Sequence, residues 1–390
     1  MPKILVIADD FTGAAEIGGI AHLFGLSVKM QKGLSDAGVP EDDVLILDTN
    51  TRSLNPTEAY TTITTLLDKL DLSVFDFVYK KVDSVLRGPI IPEIRAILFR
   101  GDLNHAVLVS ANPSKGRIIK NSIYYINGIP IDQTEFQFDP EYPRKSPFVR
   151  DLVRNTFDKT VSDLSLNEDK FDNIEIPDAY SEDKLHEIVT SRLTEGSLAA
   201  GGADFFTAIL KYKLNLKQSI RTACTSSRVK RHFVIGTRSE NGINTINTLQ
   251  QYGYPCFYLP EKSLNIKAVY EEFIDGIVDT IKKGYPIIIA RPEIELSGPT
   301  ALRKITELLS GSAATLINKC SNGEEIFIEG GETASTIIRN QKSDLRIREV
   351  LGAGVVKLEL INSGIFLIVK PGSYPWPENF FNFIGNERKI

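Results

Sequence analysis

The stretch Lys3-Ile4-Leu5-Val6-Ile7-Ala8-Asp9-Asp10-Phe11-Thr12-Gly13-Ala14-Ala15-Glu16-Ile17 decides the fold. Ile4 to Ala8 is an unbroken apolar run, the pattern of a strand buried on both faces of a parallel sheet. Asp9 and Asp10 interrupt it, and helix-like apolar spacing follows as far as Gly25. The opening unit therefore reads strand, turn, helix. The same grammar continues outward. A strand is expected at Val44–Leu47, and a helix at Pro56–Leu70 with Asn55 as N-cap and Pro56 at N1. A strand at Phe75–Lys81, a helix at Pro92–Phe99 and a strand at Ala106–Val109 come next. Such alternation predicts parallel sheets with helical crossovers.

Residues 111–150 are irregular and rich in Pro and Asp, which suggests a long functional loop or a small insertion. Regular signals resume from 148 to about 213. The polar, basic stretch Lys217–Lys230 is expected to join two domains, 1–220 and 221–390. The second half restarts with a strand at His232–Ile235, a turn over Gly236–Gly242 and a helix at Ile243–Tyr252. Further strands are expected at Pro255–Tyr258, Ile287–Ala290, Glu325–Ile328 and Phe366–Val369. The predicted class is α/β: two α/β domains with mainly parallel sheets and the active site in the cleft between them.

Composition narrows the function. The 390 residues are 42% hydrophobic and 24% charged, ordinary for a globular protein, and the net charge of −5 argues against a general nucleic-acid binder. No apolar run approaches the length of a membrane span. Met1-Pro2-Lys3 leads straight into a strand, so no signal peptide and a cytoplasmic location are expected. Cys224, Cys256 and Cys320 are far apart, and no two of His22, His105, His186 and His232 stand at metal-ligand spacing. An enzyme with this composition would work with Asp, Lys, Arg, Ser, Thr and backbone groups.

Three strand ends of the first half carry the chemistry. Asp9 and Asp10 follow the first strand, where open α/β sheets bind ligands. Paired carboxylates there would repel phosphate but suit polyol hydroxyls, a magnesium ion or a base role. The plainer alternative is that one Asp caps the helix and the other is solvated. Asp48-Thr49-Asn50-Thr51-Arg52 ends the second strand, and Arg52 could grip a carboxylate. Lys80-Lys81-Val82-Asp83-Ser84-Val85-Leu86-Arg87-Gly88 ends the third. Strand alternation sends Lys80 and Lys81 to opposite faces, so one of the two reaches a site. Carboxylates together with cations fit a small hydroxylated acid. In the second half, glycine-rich turns follow strands at Gly236–Gly242, at Glu329-Gly330-Gly331-Glu332-Thr333-Ala334 and at Lys370-Pro371-Gly372-Ser373. Glycine lets backbone N–H groups approach phosphate oxygens, and a helix N-terminus adds its dipole. A P-loop motif and a G-x-S-x-G elbow are absent, and Gly352-Ala353-Gly354 is only a fragment of a dinucleotide fingerprint.

Ala8-Asp9-Asp10-Phe11-Thr12-Gly13-Ala14, Asp48–Arg52 and Lys81-Val82-Asp83-Ser84-Val85-Leu86-Arg87-Gly88, in that order, resemble the four-carbon acid sugar kinase family of threonate, erythronate and 3-oxo-tetronate kinases. Gly116-Arg117, Gly330-Gly331-Glu332-Thr333 and Lys370-Pro371-Gly372-Ser373 extend the resemblance over nearly the whole chain. It implies an N-terminal domain for the acid sugar and a C-terminal domain for ATP. By that similarity Asp9, Asp10, Arg52, Lys81, Val82, Asp83, Ser84 and Arg117 hold the substrate. Ser239, Gly330, Gly331, Glu332, Thr333 and Gly372 hold ATP, with Mg2+ bridging its phosphates. Asp83 or Asp10 would be the base, and Arg87 or Arg117 would steady transferred charge. Departures are Val85 for Thr, Glu332 for Asp, Thr237 for Ser, and Asn112 for an apolar residue. The partners expected are a small sugar acid and ATP, with neither nucleic acid nor membrane, and a homo-oligomer is left open. A non-catalytic nucleotide or sugar-acid binder and a dinucleotide-dependent oxidoreductase are the competing classes.

Overall fold

A computed structural model describes residues 1–33, 41–139, 141–154, 173–218, 229–292, 298–352, 354–372 and 376. The junction residues 219–228, Cys224 among them, as well as Ala353 and Ser373, lie outside the described residues. Contacts cluster into two compact units, Met1–Ile220 and Arg221–Ile390.

The first unit runs β1 (Ile4–Ala8), α1 (Phe11–Leu23), β2 (Val28–Gln31), β3 (Val44–Asp48), α2 (Pro56–Leu67), β4 (Phe77–Lys81), α3 (Ile90–Arg100) and β5 (His105–Val109). It continues through β6 (Arg117–Lys120), β7 (Ile123–Ile126), β8 (Ile129–Pro130), α4 (Val149–Arg154), β9 (Ile174–Glu175), α5 (Glu182–Ser191), β10 (Ser197–Gly201) and α6 (Ala203–Ala208). Its main sheet has the order β2-β3-β1-β4-β10-β5-β9, and every pair is parallel. All five residues of β1 are fully buried, as an apolar run covered on both faces requires. Asp10 accepts the Gly13 N–H and so starts α1. Asn55 caps α2 ahead of Pro56, as expected, and Glu58 completes a capping box with it. The order of strands reverses about β1, with β3 on one side and β4 on the other. The carboxyl ends of these three neighbours therefore share one edge, the switch point at which open α/β sheets bind ligands.

The irregular stretch after β5 is an insertion. β6, β7 and β8 form their own antiparallel sheet, followed by 3-10 turns at Ile131–Gln133 and Glu135–Phe138.

The second unit runs β11 (Arg231–Ile235), α7 (Glu240–Gln251), β12 (Cys256–Tyr258), α8 (Lys267–Lys282), β13 (Ile288–Ala290), α9 (Pro299–Lys319), β14 (Glu325–Glu329), α10 (Gly331–Arg339), β15 (Leu345–Gly352), β16 (Val355–Leu360) and β17 (Phe366–Lys370). β12-β13-β11-β14-β17 are parallel, and β16 and β15 extend them antiparallel. Phe233 stacks on Phe327 at 5.0 Å in the core of this unit. Two helices begin earlier than the glycine turns suggested. α7 starts at Glu240 because Ser239 caps it, and α10 starts at Gly331. The fragment at Gly352 and Gly354 lies where β15 gives way to β16, not in a strand-to-helix turn.

Candidate active site

At the switch point of the first unit, the three predicted strand ends do meet. Arg52 donates from Nε to Asp9 at 2.8 Å and from Nη1 to Asp10 at 2.7 Å, and lies 3.8 Å from Asp83. Asp10 serves as the cap of α1, but Asp9 is not solvated: it is 1% exposed. Burial alone would raise the Asp9 carboxyl, yet Arg52, Lys80 and Lys81 outweigh it and hold Asp9 below the usual carboxylate range. Asp10 goes the other way, because burial and the charge of Asp9 exceed the pull of Arg52 and raise it. Adjacent carboxyls whose acidities separate are suited to different roles. The second oxygen of Asp9, Oδ1, is buried without a hydrogen-bond partner.

The structure also separates the two lysines. Lys80 is fully buried and pairs with Glu93 on α3 at 2.9 Å, inside the unit. Burial holds the Glu93 carboxyl above its usual range despite Lys80, and Thr51 donates its hydroxyl to it. Lys81 points the opposite way. Its Nζ donates to the Val82 carbonyl at 2.9 Å, lies 3.5 Å from Glu16, and sits so close that a Cβ on Gly13 would meet it at 3.1 Å.

Two residues expected at the substrate are engaged within the unit. Val82 is fully buried, and its amide pairs with the Gly201 carbonyl, so its side chain belongs to the core. Asp83 is held by Arg87 through both oxygens, at 2.9 and 3.0 Å, and also accepts the Arg87 amide at 3.1 Å. Burial opposes ionisation, but Arg52 and Arg87 drive the Asp83 carboxyl far below the usual range. A carboxylate so firmly ionised is a weak proton acceptor. The turn it stabilises includes Leu86 at φ 64°, a left-handed conformation that a leucine adopts only when its surroundings impose it.

The insertion closes over this cluster. Arg117 donates to the Ser84 hydroxyl, the Tyr124 hydroxyl to the Ser84 carbonyl at 2.5 Å, and the Tyr142 hydroxyl to the Arg52 carbonyl at 2.7 Å. Asp139 lies 3.4 Å from Arg87. Sequence reading missed Tyr124, Asp139, Tyr142 and the buried Arg144, since no motif surrounds them. The irregularity of residues 111–150 was the available signal. Asn112 has a structural use, accepting the Asp204 amide at 2.9 Å at the start of α6.

In the second unit the glycine turns gather at the carboxyl ends of β11, β14 and β17. The Gly236 amide pairs with the Glu329 carbonyl at 2.9 Å, and the Gly330 amide with the Lys370 carbonyl at 3.0 Å. A Cβ on Gly236 would lie 1.8 Å from the Thr333 hydroxyl, and one on Gly372 would lie 2.7 Å from the Thr237 hydroxyl. Gly330 has φ 119°, which an L side chain rarely tolerates. The Ser239 hydroxyl is already engaged, donating to the Gly372 carbonyl at 2.9 Å and accepting the Gly242 amide at 3.2 Å. It positions the turn. α10, by contrast, has no side-chain cap, so the amides of Gly331, Glu332 and Thr333 in its first turn are available to an anion. Beneath the turns, Lys370 pairs with buried Glu329 at 2.9 Å, and Thr245 and Trp376 donate to the same carboxylate at 3.2 and 3.1 Å.

Three residues without ligand spacing do converge: His232, Cys320 and Glu324 place potential ligand atoms within 4.8 Å of one another. The His232 Nδ1 accepts the Ile287 amide at 3.3 Å, which puts the ring proton on Nε2, 3.4 Å from Glu324. Burial also raises the Cys320 thiol, keeping it protonated.

A family profile described as the sugar-binding N-terminal domain matches residues 4–209, just over half of the chain. The chain belongs to the four-carbon acid sugar kinase family. Within that family it is 32% identical over 152 residues to D-threonate kinase of Salmonella typhimurium, and 32% identical over 162 residues to D-erythronate kinase of Heliobacterium modesticaldum. Each match spans 39% of this chain and 36% of the relative, so about a third of the length of these kinases is matched. Similarity to 3-oxo-tetronate kinase of Haemophilus influenzae is 23% but spans 97% of this chain and 98% of that one. A solved Haemophilus influenzae protein of family DUF1537 shares the fold at TM-score 0.73 and 19% identity, over 98% of this chain and 99% of its own. A Salmonella typhimurium LT2 protein shares it at TM-score 0.76 and 16% identity, over 100% and 99%.

Proposed function

We propose that this family member transfers the γ-phosphoryl group of ATP to a hydroxyl of a four-carbon sugar acid. The acid binds at the switch point of the Met1–Ile220 unit, and ATP binds at the glycine turns of the Arg221–Ile390 unit. The single observation that supports this most is Asp9 Oδ1. It is a buried, ionised acceptor without a donor at the switch point, a lone acceptor that a polyol hydroxyl would satisfy. The names of the relatives support the same reaction class.

The glycine turns fit a nucleotide, because their backbones approach so closely that side chains are excluded and the α10 amides have no internal cap. Gly330, Gly331, Thr333 and Gly372 would hold the phosphates, and exposed Glu332 is the carboxylate at that turn available to a magnesium ion. ATP supplies the phosphoryl group, and magnesium neutralises its charge. On the acceptor side Asp9 orients a hydroxyl. Asp10, with its raised pKa and 19% exposed side chain, is the base that takes its proton, in place of the firmly ionised Asp83. Lys81 lies beside Asp10 and adds positive charge to the acceptor site.

A coupled ADP-release assay over threonates, erythronates and 3-oxo-tetronates tests the reading. ADP should appear with ATP and one of these acids. ATP binding without ADP release for any acid would refute kinase activity and favour a non-catalytic binder.

A further inference from the structure

Arg144 is 2% exposed, and its Nε and Nη2 have no hydrogen-bond partner. It is anchored by its amide, which donates to the Phe136 carbonyl at 3.0 Å, and its guanidinium lies 5.9 Å from the Tyr142 ring. The charged and titratable groups acting on it are Asp83, Arg87, Asp139 and Tyr142, all in the cluster at the end of β4 or in the insertion that covers it. The neighbouring acids are committed elsewhere: Asp83 to Arg87 through both oxygens, and Asp139 to Arg87 and to the amides of Glu141 and Tyr142. The other arginines are committed too: Arg52 to Asp9 and Asp10, Arg87 to Asp83, and Arg117 to Ser84. An arginine cannot shed its proton to escape burial, so an unpaired buried guanidinium is costly and persists where something else compensates it. Nε and Nη2 form the two-donor edge that Arg87 uses to grip Asp83, the arrangement that matches a carboxylate.

From this we infer that Arg144 binds the carboxylate of the acceptor acid through its Nε–Nη2 edge, and thereby selects acids over uncharged polyols. The inference rests on the sugar-acid reading of the same site. It reassigns the carboxylate from Arg52, whose Nε and Nη1 are occupied by Asp9 and Asp10, to a residue supplied by the insertion. Both donors are shielded from bulk water, so the turn bearing Tyr142 and Arg144 must shift to admit the acid.

Arg144→Met keeps the bulk of the side chain and removes its charge. Binding of threonate, erythronate and the carboxamide of each is measured by calorimetry, alongside ATP binding, ADP release and thermal unfolding. Wild type should prefer the better acid to its amide by on the order of 10- to 100-fold, and Arg144→Met should erase that preference while leaving ATP affinity unchanged. The Tm of the unliganded variant should equal or exceed that of wild type, because an uncompensated charge has been removed. A retained acid-to-amide ratio, or a fall in unliganded Tm with the ratio intact, would show a purely structural arginine. Arg144→Gln provides the same comparison should the Met variant prove insoluble. Wild type that binds an acid without releasing ADP would refute the kinase reading while leaving the Arg144 ratio decisive. Wild type that binds neither acid would overturn the carboxylate assignment itself.

Discussion

Asp10 and Asp83 show how surroundings divide the work of chemically identical side chains. Asp10 sits above its usual pKa through burial and the neighbouring Asp9 charge, whereas two arginines hold Asp83 far below. Asp10→Asn should lower kcat by about 10²- to 10⁴-fold with little change in KM for ATP, as steady-state kinetics would show. The base must be deprotonated to act, so kcat should fall with decreasing pH through a value above the ordinary Asp pKa of about 3.9. Asp83→Asn should act mainly on stability, at about 2 kcal/mol, since Arg87 is partly exposed and screened. The folded-state pKa of Asp83 is depressed, so its stabilisation is present above about pH 4 and is lost as pH falls below that. Urea denaturation across this range should show a steep loss for wild type and a shallower one for Asp83→Asn. If Asp83→Asn instead lost turnover at unchanged stability, the base role would return to Asp83. Lys80 and Lys81 carry a related lesson. Alternation separates them, but only the positions of Glu93 and Glu16 reveal which lysine is interior and which faces the acids.

At the scale of elements, local signals performed well where a few neighbouring residues set the outcome. The Asn55–Glu58 capping box and Pro56 define the start of α2 from a four-residue pattern. Asn55→Ala should cost about 1 kcal/mol, read from the denaturation midpoint, without altering ligand binding. β1, β3, β4 and β5 of the first unit and β11 to β14 and β17 of the second were legible because apolar runs bounded by polar turns have few alternative homes, whereas β2, β6 to β10, β15 and β16 were not singled out in the sequence. Glycine turns were less legible. Gly236–Gly242 and Glu329–Ala334 looked like loops, yet α7 and α10 begin inside them. Whether such a stretch is a loop or the first turn of a helix depends on its cap, and only Ser239 supplies one of these caps with a side chain.

For the whole molecule, the proposal assigns two ligands to two compact units, which makes their binding separable. Gly236→Ala would place a methyl group at 1.8 Å from the Thr333 hydroxyl, and Thr333 is 3% exposed with little room to retreat. It should therefore weaken ATP binding at least about 10-fold. The rise in Tm with saturating ATP, about 2.7 kcal/mol at 100 times Kd for wild type, should shrink accordingly, while the rise with acid remains. Loss of both shifts would contradict the separate assignment. By itself the sequence determined the α/β class, the parallel strands and the placing of Asp9, Arg52 and Lys81 at strand ends, because periodicity and turn chemistry act over a few residues. The tertiary structure alone decided that Asp83 is clamped, that Val82 is core and that Arg144 lies beside a cluster some sixty residues earlier in the chain. The charge state and availability of a side chain depend on burial and on partners remote in sequence, and no local pattern records either.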